Sequence, residues 1–140
     1  MNDFEVIKLE PVMFPLVNKF YQAYNVRGRA KSHDKVWVVK VNSEIVAAAK
    51  ITPKSDFDLL TGVFTAPDWR GNQFASKLVR HIIASQQETI YTFAYNHLVA
   101  WYLNLGFVPH QPTEDLASMF QAYCQQGRDI CCLATNKVAA

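Results

Sequence analysis

Residues 63–78 read VFTAPDWRGNQFASKL, and the change of pattern inside this stretch decides the fold. The run VFT at 63–65 is typical of a strand, and Pro67 interrupts it. Beyond Gly71 the apolar residues recur at the spacing of a helix. The stretch therefore predicts a strand that turns through a short polar corner directly into a helix.

Length and composition predict one globular domain over residues 1–140. A chain of 140 residues buries roughly two thirds of the surface that its unfolded form exposes. Half of the residues are hydrophobic and 13% are aromatic, which excludes an intrinsically disordered chain. The net charge of +2 is too small to favour a nucleic-acid or membrane-surface partner, so we expect neither.

Targeting and metal signals are weak. No apolar run approaches the roughly 20 residues that cross a membrane, and the N-terminal MNDFEVIKLE lacks the apolar core of a secretory signal. Cys124, Cys131 and Cys132 show neither a C-x-x-C pair nor a Cys/His metal spacing. We therefore expect a cytoplasmic protein with reduced thiols and no metal.

Pattern and punctuation predict alternating strands and helices along the whole chain. Residues 4–9 form a strand, a helix begins at Pro11 or at Pro15, and 25–35 is a polar loop. The remaining elements are strands at 36–41, 45–51 and 57–65, a helix from 74 to about 86, a strand at 89–94, a short helix capped by Asn96 and ended by Gly106, a strand at 107–110, a helix at 116–123 with Glu114 and Asp115 in its first turn, and a strand at 129–135. This order predicts an α/β (α+β mixed) fold, in which helices flank a mostly antiparallel, mixed central sheet of about six to seven strands.

The polar corner before the second long helix has two interpretations. The first N–H groups of a helix lack internal partners and carry partial positive charge, so they can bind an anion. Gly71 permits a close backbone approach, and Arg70 adds a permanent cation at the rim. Alternatively, Asn72 caps the helix and the corner is an ordinary loop.

Two motifs resemble those of the GCN5-related N-acetyltransferases (GNAT). The first is an Arg-x-x-Gly-type corner after a V-x-P strand end, in which these residues fall in register: Val63, Pro67, Arg70, Gly71, Phe74, Ala75 and Leu78. The second is YNHLVAWYLNLGF at 95–107, with Asn96, Tyr102, Gly106 and Phe107. The element order matches the family from Phe4 to His110, whereas 111–140 fit less closely because a helix precedes the last strand.

The resemblance implies acetyl-CoA as the acetyl donor and an amine as the acceptor. In the family, the strands equivalent to 57–65 and 89–94 splay apart, and the pantetheine arm lies between them like an added strand. The diphosphate rests on N–H groups at the helix start. The cofactor-binding residues that the resemblance implies are Phe64 and Thr65 through their backbone, Arg70, Gly71, Asn72, Gln73, Phe74, Ala75 and Ser76 at the corner, and Asn96 beside the arm.

By the same resemblance, Tyr102 donates a proton to the departing CoA thiolate. The alternative is that Tyr102 only packs beside Leu98 and Leu105 on a helix face. No general base stands out by sequence among the candidates Glu44, Asp58, His81, His97 and His110. The resemblance implies that water can relay the proton from the amine, as is common in enzymes of the GNAT family.

Gln73 departs from the family pattern, which has a glycine at this position. A helical backbone here still directs its N–H at the diphosphate. A positive φ would strain glutamine by about 1 kcal/mol or more. At a helix start we expect the helical conformation.

The segment after the first helix, NVRGRAKSHDK, usually forms one wall of the acceptor site in this fold. Arg27 and Arg29 would then contact an acceptor that carries a carboxylate or phosphate, although a solvated basic loop is the plainer alternative. An edge strand near Cys131 could pair across a homodimer. Three functions stay open: an N-acetyltransferase, a catalytically silent acyl-CoA-binding module that regulates a partner, and a basic-loop interaction domain.

Overall fold

The computed structural model describes residues 3–54 and 56–136. Its elements follow the order that the sequence predicts. They are β1 (Phe4–Leu9), α1 (Phe14–Ala23), β2 (Lys35–Val41), β3 (Glu44–Pro53), β4 (Asp58–Thr65), α2 (Phe74–Ser85), β5 (Ile90–Tyr95), α3 (Val99–Asn104), β6 (Phe107–Pro109), α4 (Glu114–Gln125) and β7 (Ile130–Thr135). No helix among these described residues is long and apolar enough to cross a membrane.

All seven strands join one sheet in the order β1-β2-β3-β4-β5-β7-β6. Every neighbouring pair is antiparallel except β4 and β5, which run parallel across the α2 crossover. This confirms the predicted mixed sheet. The expected dimer edge is wrong, because Cys131 lies on β7, which is between β5 and β6 and so is interior to the sheet.

The helices cover both faces of the sheet. Because successive side chains of a strand point to opposite faces, the strand residues that each helix contacts show on which face it packs. α2 and α3 pack on the face that contains Trp37, Ala49 and Leu60. α1 packs on the other face against Val38 and Ala48, and α4 packs on that same face beyond Leu59. The sheet therefore separates an α2/α3 side from an α1/α4 side.

A β-bulge breaks the pairing of β3 with β4 in the middle of the sheet. Ala48 pairs with Phe64 but Lys50 pairs with Thr61, so β4 has one extra residue opposite Ala49. Gly62 supplies the positive φ of +65° that this bulge requires. The hydroxyl of the buried Tyr21 donates to the Gly62 carbonyl at 2.7 Å, so α1 anchors the bulge.

Most element ends lie within two residues of the predictions, and two helix starts need comment. Pro11–Met13 forms a short 3₁₀ turn, and α1 begins at Phe14 with Pro15 in its first turn. Pro11 therefore begins the 3₁₀ turn, and Pro15 lies one residue after the start of the α-helix. The expected cap at Asn96 is wrong, because Asn96–Leu98 forms a 3₁₀ turn of its own and α3 begins at Val99.

Candidate active site

A cleft opens between β4 and β5 where their pairing ends. The two strands pair only from Asp58 to Leu60 and from Ile90 to Thr92. Beyond that point, β4 continues to Thr65 and β5 to Tyr95. The bulge at Gly62 bends β4 at the start of this unpaired part, which accounts for the divergence. The structure thus contains the splayed pair that the resemblance implies.

The register shows which backbone groups of β4 face the cleft. Ala66 N–H donates to Val46 C=O at 2.8 Å, and Thr65 is opposite Ala47. In an antiparallel ladder, bonded and non-bonded pairs alternate. The backbone groups of Phe64 are therefore used in pairing with β3, whereas those of Thr65 point towards the cleft. This corrects the expectation that Phe64 offers its backbone to a cofactor arm.

The corner before α2 leaves its helix start open. The first bond inside the helix runs from Lys77 N–H to Gln73 C=O at 3.0 Å, so the N–H groups of the three preceding residues point outwards. No side chain caps the start, because Asn72 instead donates its amide to Trp69 C=O at 2.9 Å. Asn72 is therefore not the cap that the ordinary-loop alternative requires.

Gln73 adopts the conformation that we did not expect. Its φ of 60° and ψ of 26° place it in the left-handed region, where a glutamine is strained by about 1 kcal/mol. The expectation of a helical backbone here is wrong. Gly71, with φ of +89°, is the other left-handed residue of the corner, and no atom would contact a Cβ there. The turn itself, rather than a close contact, requires a glycine at 71.

Side chains around this corner add donors and positive charge. Arg70 Nε donates to Thr65 C=O at 3.2 Å, and its guanidinium lies 5.5 Å from the centre of the Phe64 ring. Trp101 Nε1 donates to the Ser76 hydroxyl at 3.2 Å, which leaves the Ser76 proton to be donated elsewhere. Lys77, which the sequence analysis missed, lies next to the corner with its ammonium 3.5 Å from Asn72 C=O.

Tyr102 lies in the wall of the cleft. It is 7% exposed, packs edge-on against Trp101 and Phe107, and lines a cavity of about 740 Å³ together with Thr92. Burial raises the pKa of Tyr102 to about 12, and a side-chain hydrogen bond with Thr92 opposes this rise. The phenol therefore stays protonated at neutral pH and can donate a hydrogen bond into the cleft.

Asn96 is exposed and is engaged by β7 and the loop before it. Its side-chain amide donates to the Asp129 carboxylate, and the Cys131 thiol donates to its carbonyl oxygen at 2.6 Å. Tyr95 and Leu98 line the cavity, whereas Asn96 is not one of its lining residues. In this structure the side chain of Asn96 ties β5 to the α4–β7 segment.

The cavity opens on the α1/α4 side, between the loop after α1 and the end of α4. Its wall includes Arg27 and Arg29, the two residues predicted for the acceptor. The described lining contains six basic side chains, and Asp34 is its one carboxylate: Arg27, Arg29, Lys31, Lys50, Lys54 and Arg128 are the basic residues. The cavity is thus strongly cationic although the chain as a whole is nearly neutral.

Lys50 is the residue of this site that the sequence analysis missed most clearly. It is 8% exposed, and its ammonium donates to the Thr61 hydroxyl at 2.9 Å. Burial lowers the pKa of Lys50, Asp34 acts in the opposite direction, and Lys31 and Lys54 lower it further. The sequence did contain a signal for it, which is a single lysine inside the apolar run IVAAAKI. Because burying a charge is costly, a lysine in a buried strand indicates that its ammonium group has a specific partner or role.

None of the candidate bases named from the sequence lies in the cavity wall. Glu44 is exposed at the β2–β3 hairpin, His81 is exposed on α2, and His97 stacks on Tyr95. His110 packs on Tyr91, and Asp58 pairs at the start of β4. The described lining instead offers His33, which is exposed, as its histidine.

A comparison with family models matches residues 32–109 to an acetyltransferase (GNAT) domain, which is more than half of the chain. The match spans the hairpin, the corner, Tyr102 and β6. No curated protein sequence matches the chain.

Solved structures with this fold match nearly the whole chain. N-acetylglutamate synthase from Neisseria gonorrhoeae, solved with coenzyme A and N-acetyl-glutamate, superposes with a TM-score of 0.71 at 12% identity over 95% of this chain, which spans 35% of the synthase. The ribosomal-protein-S18-alanine N-acetyltransferase from Escherichia coli gives 0.69 at 17% identity and covers 99% of this chain and 97% of its own. A GNAT-family acetyltransferase from Streptococcus pneumoniae gives 0.70 at 13% identity, covering 95% and 98%. At these identities the likeness concerns the fold, and it includes the α4–β7 region beyond the family-model match.

Proposed function

The chain belongs to the GNAT acetyltransferase family, and on that premise we propose that it transfers an acetyl group from acetyl-CoA directly to an amine. The observation that carries the proposal is the cleft between β4 and β5, with Tyr102 in its wall. Three features occur at or beside this cleft: the unpaired backbone edge of β4, the uncapped start of α2 and the buried hydroxyl of Tyr102. Each of the three fits a different part of acetyl-CoA.

The diphosphate of the cofactor fits the start of α2. The outward N–H groups of Phe74, Ala75 and Ser76 and the partial positive charge of the helix favour an anion there. Arg70, Lys77 and the Ser76 hydroxyl are the side chains that add to this attraction. The left-handed backbone of Gln73 does not prevent this contact, because the donors follow it in the chain.

The pantetheine arm fits the free edge of β4. Its amides would bond with the backbone of Thr65, in the manner of an added strand. In this structure Arg70 Nε donates a hydrogen bond to the Thr65 carbonyl. A bound arm would replace that hydrogen bond, and the guanidinium could then contact the diphosphate. Binding of the arm and of the diphosphate would then be coupled through Arg70.

In the reaction, a neutral amine attacks the thioester carbonyl, the C–N bond forms and the C–S bond breaks. The amine loses a proton to water, and the CoA sulfur leaves as a thiolate that Tyr102 stabilises. A phenol with a pKa of about 12 opposes complete proton transfer to a thiolate of a thiol near 8.5 by about 5 kcal/mol. We therefore assign Tyr102 as a hydrogen-bond donor to the sulfur, with the final proton coming from solvent.

Two measurements on the purified chain test this proposal. Calorimetric titration with coenzyme A should give saturable heat, and a hundredfold excess over the dissociation constant should stabilise the fold by about 2.7 kcal/mol. Release of free thiol from acetyl-CoA should then depend on an added amine. Absence of coenzyme A binding would sink the proposal.

A catalytically silent acyl-CoA-binding module is the second candidate. The strained Gln73 at the corner is the observation that favours it, because it departs from the family pattern at the diphosphate seat. Binding of coenzyme A without amine-dependent thiol release, across primary amines of differing charge, would favour this module over the enzyme.

A further inference from the structure

The α1/α4 end of the cavity has an excess of positive charge that the protein itself does not neutralise. Six basic side chains and one carboxylate occur among its described lining residues. The carboxylate of Asp34 is engaged in a turn, because it accepts the Lys31 N–H at 2.9 Å while the Asp34 N–H donates back to the Lys31 carbonyl at 2.9 Å. An anionic ligand would supply the missing negative charge.

Lys50 is a built part of this wall rather than a surface lysine. It lies on β3 in the interior of the sheet, and its neighbour Ala49 points to the opposite face. Its ammonium contacts Thr61 across the β3–β4 pair, next to the bulge that opens the cleft. A buried ammonium has three donors to satisfy, and the Thr61 hydroxyl accepts only one of them. The remaining donors suit a ligand oxygen.

Arg128 provides a second donor group in the wall of the same cavity. Its guanidinium lies 4.4 Å from the centre of the Tyr123 ring, which holds the side chain in place. Its Nε atom is buried and has no hydrogen-bond partner within the described residues. A guanidinium carries five N–H donors that suit carboxylate or phosphate oxygens, so Arg128 can contribute donors to an anion in this cavity.

We propose that the acceptor is a small amine that also carries a carboxylate or phosphate group, and that Lys50 and Arg128 bind this anionic group. The proposal rests on the acetyltransferase function proposed above. A cavity of about 740 Å³ has the size of a small-molecule site. The anionic group would bind on the α1/α4 side of the sheet, and the amine would extend into the cleft towards Tyr102. Lys50 is then a specificity residue, and it takes no part in the proton transfer.

A binding experiment tests the anion site without requiring turnover. Glutarate, inorganic phosphate and the neutral glutaramide are titrated calorimetrically into the protein, with and without coenzyme A. Glutarate or phosphate should bind and glutaramide should not, and the anion that binds identifies the acidic group. If neither anion binds in either condition, the proposal is overturned.

Variants assign the binding to these residues. Lys50→Met should weaken the bound anion at least about tenfold, Lys50→Arg should restore part of the affinity, and Arg128→Gln should also weaken it. The control Lys19→Met, which removes an exposed lysine of α1, should leave binding unchanged. Unaltered anion binding in Lys50→Met would overturn the assignment.

Stability and turnover separate this proposal from the function on which it rests. Because a buried charge is removed, Lys50→Met should unfold at the same temperature as the parent or higher, so weaker binding could not be ascribed to unfolding. In turnover, it should raise KM for an acidic acceptor about tenfold or more and leave KM for acetyl-CoA within about twofold. Turnover with neutral amines alone would overturn the anionic acceptor and leave the acetyltransferase function intact. Anion binding without any binding of coenzyme A would overturn the acetyltransferase function and the role of the bound anion as an acceptor, and would leave only an anion site.

Discussion

The two ends of the cleft both carry positive charge, but they are made of different parts of the chain. At the α2 end the donors are backbone N–H groups at a helix start that no side chain caps. At the α1/α4 end the positive charge comes from side chains, of which Lys50 is the most buried. One end is a property of the backbone, and the other is a property of particular residues.

This difference indicates which end is general and which is specific. Backbone donors persist through most side-chain changes, provided that the turn before the helix keeps its conformation, and they suit a cofactor that many proteins share. Side-chain donors can be replaced one at a time, and they suit an acceptor that differs between proteins. Gln73 illustrates the first case, since it tolerates about 1 kcal/mol of strain and the donors behind it stay in place.

Tyr102 lies between the two ends, and its removal should have the largest effect. Tyr102→Phe removes the hydroxyl that we propose as the donor to the sulfur and keeps the ring that packs against Phe107. Turnover should fall about a hundredfold or more, while affinity for coenzyme A stays within about twofold. Tyr91→Phe is the control, because Tyr91 packs on Phe57 on the other face. Equal losses of affinity and turnover would contradict the assigned role.

Gly62→Ala should damage both ends together, because the bulge opens the cleft for both. The new Cβ would lie 2.8 Å from the Tyr21 hydroxyl oxygen, and the alanine backbone would have to adopt a φ of +65°. Strain and overlap together should lower the free energy of unfolding by about 2–3 kcal/mol, as measured by urea denaturation. Gly127→Ala is the matched control, since its φ is +84° but no atom lies within 4 Å of the new Cβ. A loss at 62 no greater than that at 127 would show that the overlap with Tyr21 is unimportant.

Tyr21→Phe should loosen the same bulge more mildly and change the pH dependence of stability. Losing the bond to the Gly62 carbonyl should cost about 1–2 kcal/mol at pH 7. Burial, and then Asp34, raises the pKa of Tyr21 above its ordinary value of 10. Its contribution is therefore complete below pH 10 and is lost as the pH rises towards the folded-state pKa, where the unfolded chain releases a proton that the native state holds.

Urea midpoints at pH 8 and pH 10.5 measure this dependence. The parent should lose more stability between the two values than Tyr21→Phe does. Tyr102, with a pKa raised to about 12, and Cys132, with a pKa raised to about 11, titrate in both proteins and so do not account for the difference. Equal losses in the two proteins would show that Tyr21 does not titrate differently on folding.

Gln73→Gly should have the smallest effect and the opposite sign. Relief of the left-handed strain, less the added flexibility of glycine, should stabilise the fold by up to about 0.5 kcal/mol in urea denaturation. Affinity for coenzyme A should stay the same or rise, in contrast to the loss of anion binding in Lys50→Met. Ser43→Gly is the control, because its φ of 67° lies in a hairpin turn remote from the site. Weaker coenzyme A binding in Gln73→Gly would mean that the glutamine side chain itself contacts the cofactor.

Strand and helix order was predictable from the sequence because local patterns determine it. The apolar runs of β2 and β3, helical spacing in α2 and the glycine after α3 are all local signals, and the structure confirms the mixed sheet. Two predictions that depended on contacts between distant parts of the chain were wrong, namely the Asn96 cap and the sheet edge near Cys131. Asn96 has the composition of a cap, but Asp129 and Cys131 engage its side chain, and β6 places Cys131 away from any sheet edge.

The candidate site divides in the same way. Arg27, Arg29 and Tyr102 were identifiable by motif or by charge in one stretch, and they line the cavity. Lys50, Thr61 and Arg128 were not identified, because they come from β3, β4 and the α4–β7 loop and share no local pattern. Only the pairing register and the packing of α4 bring them to one wall.

By itself, the sequence determined the order of the elements, the polar corner before α2 and the tyrosine on α3, because spacing and turn chemistry act over a few residues. Tertiary structure alone decided that Gln73 is left-handed, that Thr65 rather than Phe64 faces the cleft, and that basic side chains from distant elements line one cavity. The physical reason is that backbone strain, strand register and the burial of charge depend on neighbours that fold together from distant parts of the chain.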